Sequence, residues 1–119
     1  LLSMASFAQK SELKAAEKAL KKGQFKEAKA FIASLESIEA SLEPKYIAKY
    51  YYLKGTVYGT SNVKKAADAY NKLFEYEKQT GKPKYTKEAK PKFSKLVQFV
   101  SKKGISCSIS ELAPRRDIF

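Results

Sequence analysis

The sequence predicts an all-α fold, an α-solenoid made of about two and a half stacked helix pairs. Three observations predict it. Apolar residues recur at steps of three and four, glycine or proline interrupts this pattern at short intervals, and one helix–turn–helix pattern occurs twice. The segment Tyr50–Leu53 has the aromatic content of a strand, but the pattern on both sides of it has the helical period.

The first helix pair is predicted around Gly23. Ser11 suits the N-cap of the first helix, whose apolar positions follow at helical spacing: Leu13, Ala16, Ala19 and Leu20. Gly23 is expected to end this helix, because glycine adopts the left-handed backbone that closes one. The second helix has its apolar positions at the same spacing: Phe25, Ala28, Ile32 and Leu35. The short connection between them predicts a helical hairpin.

Three further helices are predicted after a loop at residues 39–44. Pro44 suits the first turn of the third helix, which carries Ile47, Ala48, Tyr51, Gly55 and Tyr58. Asn62 ends a turn at residues 59–62 and suits the N-cap of the fourth helix, which carries Val63, Ala66, Ala67, Tyr70, Leu73 and Phe74. A loop at residues 79–84 precedes the fifth helix, with Phe93, Leu96, Val97 and Val100. Pro91 marks either its first turn or a kink, and Gly104 is expected to end it.

Residues 19–35 and 57–73 repeat one pattern, a helix end, a turn and an alanine-containing helix start. Phe25-Lys26-Glu27-Ala28 in the first segment corresponds to Val63-Lys64-Lys65-Ala66 in the second, 38 residues later. With these residues the chain resembles the tetratricopeptide-repeat family, and its signal-like start and lysine-rich surface resemble those of exported bacterial members. The matching repeat positions are Ala16, Phe25, Ala28, Tyr51, Gly55, Tyr58, Ala66 and Tyr70. In this packing the small residues let helices approach closely and the tyrosines fill the space beside them.

The resemblance implies a non-catalytic scaffold or adaptor that binds a peptide or protein in a concave groove. The first helix of each pair lines that groove, with outward positions at Lys10, Leu13, Glu17 and Lys21 in one unit and at Lys49, Tyr52, Thr56 and Thr60 in the other. Five of these are the candidate peptide-binding residues: Lys21, Lys49, Tyr52, Thr56 and Thr60. Lysine with an aromatic ring and hydroxyl groups suits an acidic partner. The alternative, a solvated face without a ligand, stays open for each residue.

The charge of the chain suggests a rival function. The net charge is +12 and the pI about 9.7, and a dense run of lysines surrounds Tyr85 between Lys84 and Lys95. A basic electrostatic binder of nucleic acid, of an anionic envelope polymer or of lipid is therefore the alternative. Nucleic acid is the less favoured of these, because specific readers use arginine and the chain has only Arg115 and Arg116.

No catalytic, metal or cofactor site is predicted. The chain has no histidine and one cysteine, Cys107, which excludes the usual zinc site, an internal disulfide and a cysteine–histidine nucleophile. Gly55 and Gly59 lack the Gly-Lys-Ser/Thr sequence of a phosphate loop. Acidic residues are scattered among lysines on helix surfaces and do not form the paired carboxylates of acid–base catalysis. The sequence thus predicts a protein that is not an enzyme.

The two ends of the chain differ from its middle. Residues 1–8 resemble the end of a signal peptide with cleavage after Ala8, which predicts export to the periplasm or cell envelope of a bacterium. Residues 9–104 form the predicted helical domain. Residues 105–119 are either an irregular tail or a truncated further repeat. No stretch is long enough to span a membrane, and the sequence does not specify an oligomeric state.

Overall fold

The computed structural model describes residues 2–103, with side chains described for residues 8–59 and 61–99. This part of the chain contains five α-helices and no strand: α1 (Leu2–Lys21), α2 (Phe25–Glu36), α3 (Pro44–Tyr58), α4 (Val63–Thr80) and α5 (Thr86–Lys103). Short 3-10 turns at Glu39–Ser41 and Gly59–Ser61 precede α3 and α4. The all-α prediction is confirmed. None of the described helices is both long enough and apolar enough to cross a bilayer.

Residue types at the helix ends explain where the helices begin and end. Gly23 follows α1 with φ of +75°, a left-handed conformation that costs glycine little. Pro44 is in the first turn of α3, where its missing N–H has no partner to lose. The Asn62 side chain accepts a hydrogen bond from the Lys65 N–H at 3.2 Å and so caps α4. These three predictions are confirmed, whereas Gly104 lies outside the described residues.

Two boundary predictions are wrong, and one alternative for Pro91 is excluded. Ser11 does not cap α1, which begins at Leu2 because no glycine or proline precedes Ser11 and the buried stripe already includes Gln9. Of the two alternatives for Pro91, the first turn of α5 is excluded, since that helix begins at Thr86 and Pro91 lies inside it. Helix α4 extends through Thr80, so the connection to α5 is residues 81–85. Here Gly81, with φ of +72°, closes α4.

The helices pack chiefly on their neighbours along the chain. Helix α1 contacts α2 and α3, α3 contacts α2 and α4, and α5 contacts α4 and the turn Gly59–Ser61. Gly55 lies against Tyr70, and the Tyr76 hydroxyl donates to the Pro44 carbonyl at 3.0 Å, so α3 and α4 run antiparallel. One apolar core connects all five helices.

Most of the predicted repeat positions are buried. Ala16, Gly55, Tyr58 and Tyr70 lie in the interior with Ala28 and Ala66. Tyr51 is only half-buried, because the neighbouring Tyr50 takes the fully buried position on α3. Phe25 is 55% exposed, and Leu13, expected to face outward, is buried instead. Leu13 points inward because it lies on the same face of α1 as the buried residues Gln9 and Ala16.

Polar side chains fix the segment between α2 and α3. The Tyr50 hydroxyl donates to the Glu39 carboxylate at 2.5 Å, and the Tyr58 hydroxyl donates to Glu36 at the same distance. A lysine from α3 or α4 completes each group: Lys54 lies 3.3 Å from Glu39 and Lys65 lies 3.6 Å from Glu36. Since Tyr50 and Tyr58 are two helical turns apart on one face, α3 holds this segment at two points.

Gln9 connects α1 to the same segment. Its side chain is almost fully buried, its Nε2 atom donates to the Ser41 carbonyl at 3.3 Å, and its Oε1 atom accepts from the Glu43 N–H at 3.1 Å. Both polar atoms of this buried amide therefore have partners, as a buried amide requires.

Candidate functional site

A cavity of about 550 Å³ lies between the start of α3 and the end of α4, beside the 81–85 connection. We call it the lysine–tyrosine cavity, after six of its lining residues: Lys45, Tyr46, Lys49, Lys82, Lys84 and Tyr85. It forms because α3 and α4 are antiparallel, which brings the first turns of α3 next to the residues that follow α4. The volume is in the range of sites that bind small ligands or single side chains.

Glu77 holds the wall of this cavity in place. The side chain is 3% exposed, and its carboxylate accepts hydrogen bonds from the Tyr85 N–H at 3.0 Å and the Thr86 N–H at 2.7 Å. It also accepts from the Thr86 hydroxyl at 2.7 Å. A carboxylate at the first N–H groups of α5 satisfies donors that have no partner within the helix and complements its dipole. Tyr85 is thereby fixed against α4.

Tyr85 stacks on Tyr52 of α3, with ring centroids 5.3 Å apart and an angle of 27° between the ring planes. Burial raises the pKa of Tyr52, and the negative charge of Glu88 raises it further. Burial likewise raises the pKa of Tyr85, with a further contribution from the negative charge of Glu17. Both phenols therefore stay neutral, and α3 meets the residue that precedes α5 at this pair.

The four lysines of the cavity differ in their partners. Lys49 lies 3.5 Å from Glu17 and Lys45 lies 3.5 Å from Glu43. Within the described part of the chain, neither Lys82 nor Lys84 has a carboxylate at ion-pair distance, and the Lys84 ammonium lies over the Tyr85 ring at 5.4 Å. The one buried carboxylate of the cavity, Glu77, is already occupied by the backbone. The cavity thus has positive charge that its own acids do not neutralise.

The predicted site residues are only partly brought together. Lys49 lines the cavity and Tyr52 stacks on its wall. Thr56 lies one turn further along α3, where its hydroxyl donates to the Tyr52 carbonyl at 2.9 Å and is 3.2 Å from the Tyr70 hydroxyl. It lines a different cavity. Lys21 is exposed at the end of α1, and Thr60 is in the turn before α4.

Sequence reasoning missed Lys45, Tyr46, Tyr76 and Lys82. The lysine run around Tyr85 was noticed as a basic patch, but its position next to α3 was not. Two signals were present: Lys45 and Lys49 are one turn apart on α3, and antiparallel pairing of α3 and α4 places residues after α4 beside them. No group of three or more Cys, Asp or Glu side chains that could hold a metal occurs in the described residues.

Comparisons of the chain with protein-family models, with curated proteins and with solved structures gave no match. The arrangement itself offers cationic side chains beside aromatic rings. Such a surface suits the binding of an anionic group.

Proposed function

We propose that this chain is a non-catalytic binding module that takes an acidic segment of a peptide or protein partner in the lysine–tyrosine cavity. The observation that carries the proposal is the presence of Lys82 and Lys84, which have no acidic partner among the described residues, beside the stacked pair Tyr52–Tyr85. A carboxylate that enters the cavity gains charge-assisted hydrogen bonds, and the rings give its neighbouring carbon atoms an apolar surface.

The paired lysines extend the same surface. Lys45 forms an exposed ion pair with Glu43, and such pairs contribute little to stability. The Lys49 side chain is only 23% exposed where it contacts Glu17. An incoming carboxylate can therefore replace Glu43 at small cost. This gives the cavity room for more than one acidic side chain of a partner.

The proposal includes a tetratricopeptide-like stacking of the helix pairs. Support comes from the small residues at helix contacts, Ala16, Ala28, Gly55 and Ala66, and from the packing of each helix on its sequence neighbours. In such a stack α1, α3 and α5 lie on one face of the array. The Lys49–Glu17 ion pair between α3 and α1 and the stacking of Tyr52 on Tyr85 are consistent with this arrangement.

A binding measurement with paired peptides tests this function. The probe is a labelled glutamate-rich peptide, and its control is the same peptide with every glutamate replaced by glutamine. We expect Lys82→Glu/Lys84→Glu to weaken binding of the acidic peptide by about tenfold or more, because the charge that attracts it is reversed. The exposed pair Lys18→Glu/Lys22→Glu makes the same change of net charge away from the cavity. Equal losses in the two double variants would contradict the proposal.

The salt dependence of binding distinguishes the rival function from the proposed one. A net charge of +12 also favours an electrostatic binder of nucleic acid or an anionic envelope polymer or lipid. Single-stranded DNA and anionic vesicles are therefore measured beside the peptide over a series of salt concentrations. Binding of either that survives about 200 mM salt and exceeds that of the acidic peptide would favour the rival.

We also propose that the protein works in the envelope of a bacterium, on the strength of the signal-like residues 1–8. The test is N-terminal sequencing of the protein recovered from an envelope fraction. A start at Gln9 supports export with cleavage after Ala8, and a recovered chain that retains residues 1–8 would contradict it.

A further inference from the structure

A second cavity, of about 490 Å³, lies between the first turn of α2 and the last turn of α3. We call it the Phe25 cavity, and six of its lining residues carry the argument: Phe25, Lys26, Lys29, Val57, Tyr58 and Gly59. It shares no lining residue with the lysine–tyrosine cavity. The two cavities are at opposite ends of α3. The helical rise between Ala48 and Tyr58 separates them by about 15 Å.

The exposure of Phe25 is the first feature that needs a reason. Phe25 is 55% exposed, and the only other large apolar side chain exposed in the described residues is Ile38. Val63 occupies the corresponding first position of α4, and it is 7% exposed. The repeated pattern therefore does not require an exposed residue at this position. A large aromatic ring held at the mouth of a cavity is a common anchor for a partner side chain.

The charges around Phe25 are the second feature. The Lys29 ammonium donates to the Ser61 hydroxyl at 3.3 Å and lies 5.7 Å from the centre of the Tyr58 ring, both of which are neutral groups. Lys26 has no acidic partner within the described residues. The nearby acid Glu36 is already bound to Tyr58 and Lys65. The mouth of the cavity thus presents two uncompensated positive charges beside one exposed ring.

We propose that the Phe25 cavity binds a partner peptide that presents a large apolar side chain directly beside a carboxylate. The apolar side chain packs on Phe25 and Val57 inside the cavity, and the carboxylate meets the ammonium groups of Lys26 and Lys29 at its mouth. This inference is independent of the lysine–tyrosine cavity, because different residues carry it.

Charge complementarity selects this occupant over two others. A second copy of the chain carries the same net charge of +12, and no acidic residue lines the cavity to attract it. Single-stranded nucleic acid is bound by grooves in which several rings alternate with many positive charges along the backbone. One exposed ring and two lysines around one cavity fit a single side chain better.

Backbone amide NMR titration of the full chain tests the inference. The probe is a short peptide with a central Asp-Phe-Asp sequence, and two control peptides carry Asn-Phe-Asn or Asp-Ala-Asp instead. We expect chemical-shift changes at residues 25–29 and 57–61, with affinity weaker by about tenfold for each control peptide. The variants Phe25→Ser and Lys26→Gln/Lys29→Gln should lower the affinity for the Asp-Phe-Asp peptide to a similar extent. Lys18→Gln/Lys22→Gln, with the same loss of charge, should not.

Each other outcome counts against the inference. Shift changes confined to the surroundings of Lys49 and Tyr85 would overturn it and leave the proposed function intact. Wild-type affinity in folded Phe25→Ser, checked by its circular dichroism and melting temperature, would also overturn it. Tighter binding of single-stranded DNA with the same shift pattern would assign the cavity to nucleic acid. Absence of shift changes at either cavity would remove this inference, and the peptide measurement with Lys82→Glu/Lys84→Glu would then decide the proposed function by itself.

Discussion

The ring of Tyr70 lies in the space that a β-carbon on residue 55 would occupy. A β-carbon built on Gly55 would be 2.5 Å from the Cε1 atom of that ring, well inside the van der Waals contact distance. Glycine is therefore required at this position by the approach of α3 to α4, and its backbone needs no special conformation.

We expect Gly55→Ala to destabilise the protein although alanine is the better helix former. The gain in helix propensity is about 1 kcal/mol, whereas overpacking of a core typically costs about 1–3 kcal/mol, so the net change is a loss. The measurement is the free energy of unfolding in urea. Tyr70→Val makes room for the new methyl group, so the double variant should be more stable than the sum of the single changes predicts. Additive losses would contradict the contact.

Glu77→Gln should release the start of α5. The buried carboxylate serves three donors on Tyr85 and Thr86, and hydrogen bonds to charged groups contribute about 1.5–3 kcal/mol each before their mutual dependence is considered. We expect the free energy of unfolding to fall by about 2 kcal/mol. Amide hydrogen exchange should become faster in α5, with little change in α1–α4. Glu27→Gln is the matched control, since it removes an exposed glutamate from the first turn of α2. A similar loss in both variants would contradict the special role of Glu77.

The tyrosines predict unfolding at high pH. Burial raises the pKa of Tyr70 to about 12, and burial together with the Glu39 hydrogen bond raises the pKa of Tyr50. The pKa values of Tyr51 and Tyr58 are also raised, chiefly by burial. Because unfolded tyrosine titrates near pH 10, this stability is fully present below about pH 10 and is lost as the pH rises through about 12. Phenolate absorbance and circular dichroism should therefore change together. Complete phenol ionisation near pH 10 in a folded protein would contradict this.

Glu39 gives the opposite dependence at low pH. Burial alone raises the pKa of this carboxyl, but the Tyr50 hydrogen bond and the Lys54 ammonium outweigh it, so the pKa is lowered. A lowered folded pKa stabilises the protein above the unfolded value of about 4.3, and this contribution is lost as the pH falls through the folded pKa. Tyr50→Phe should raise the pKa of Glu39, as measured by NMR of the carboxyl carbon. Tyr76→Phe, which removes a hydroxyl bound to the Pro44 carbonyl, should leave it unchanged.

Residue types at helix ends made much of the fold predictable. Gly23, Pro44 and Asn62 act locally, so their effect can be read from a few neighbours along the chain. The start of α1 was not predictable from Ser11. A serine that caps a helix and a serine inside a helix cannot be told apart from sequence when no glycine or proline precedes them. Tyr50 and Tyr51 show the same limit in packing. Adjacent tyrosines point about 100° apart on a helix, and the packing of the other helices against α3 decides which one is buried.

The candidate site was less predictable for a physical reason. Lys49 and Tyr52 follow from the outward positions of α3, but Lys82, Lys84 and Tyr85 belong to a connection whose path depends on the buried carboxylate of Glu77. No local pattern shows that a glutamate in α4 will bind the N–H groups of residues 85 and 86. The two halves of the cavity therefore come together only through tertiary structure.

If the lysine–tyrosine cavity binds a ligand as proposed, the hydrogen bonds of Glu77 couple that binding to the order of α5. Opening of α5 removes Tyr85 from Tyr52 and takes away one wall of the lysine–tyrosine cavity, while the contacts among α1, α2, α3 and α4 remain. A ligand that needs this wall binds only the closed form and slows the opening in proportion to its occupancy. Protection of the α5 amides from exchange would then report occupancy of the cavity, and any substitution that breaks the hydrogen bonds of Glu77 would weaken ligand binding from outside the binding surface.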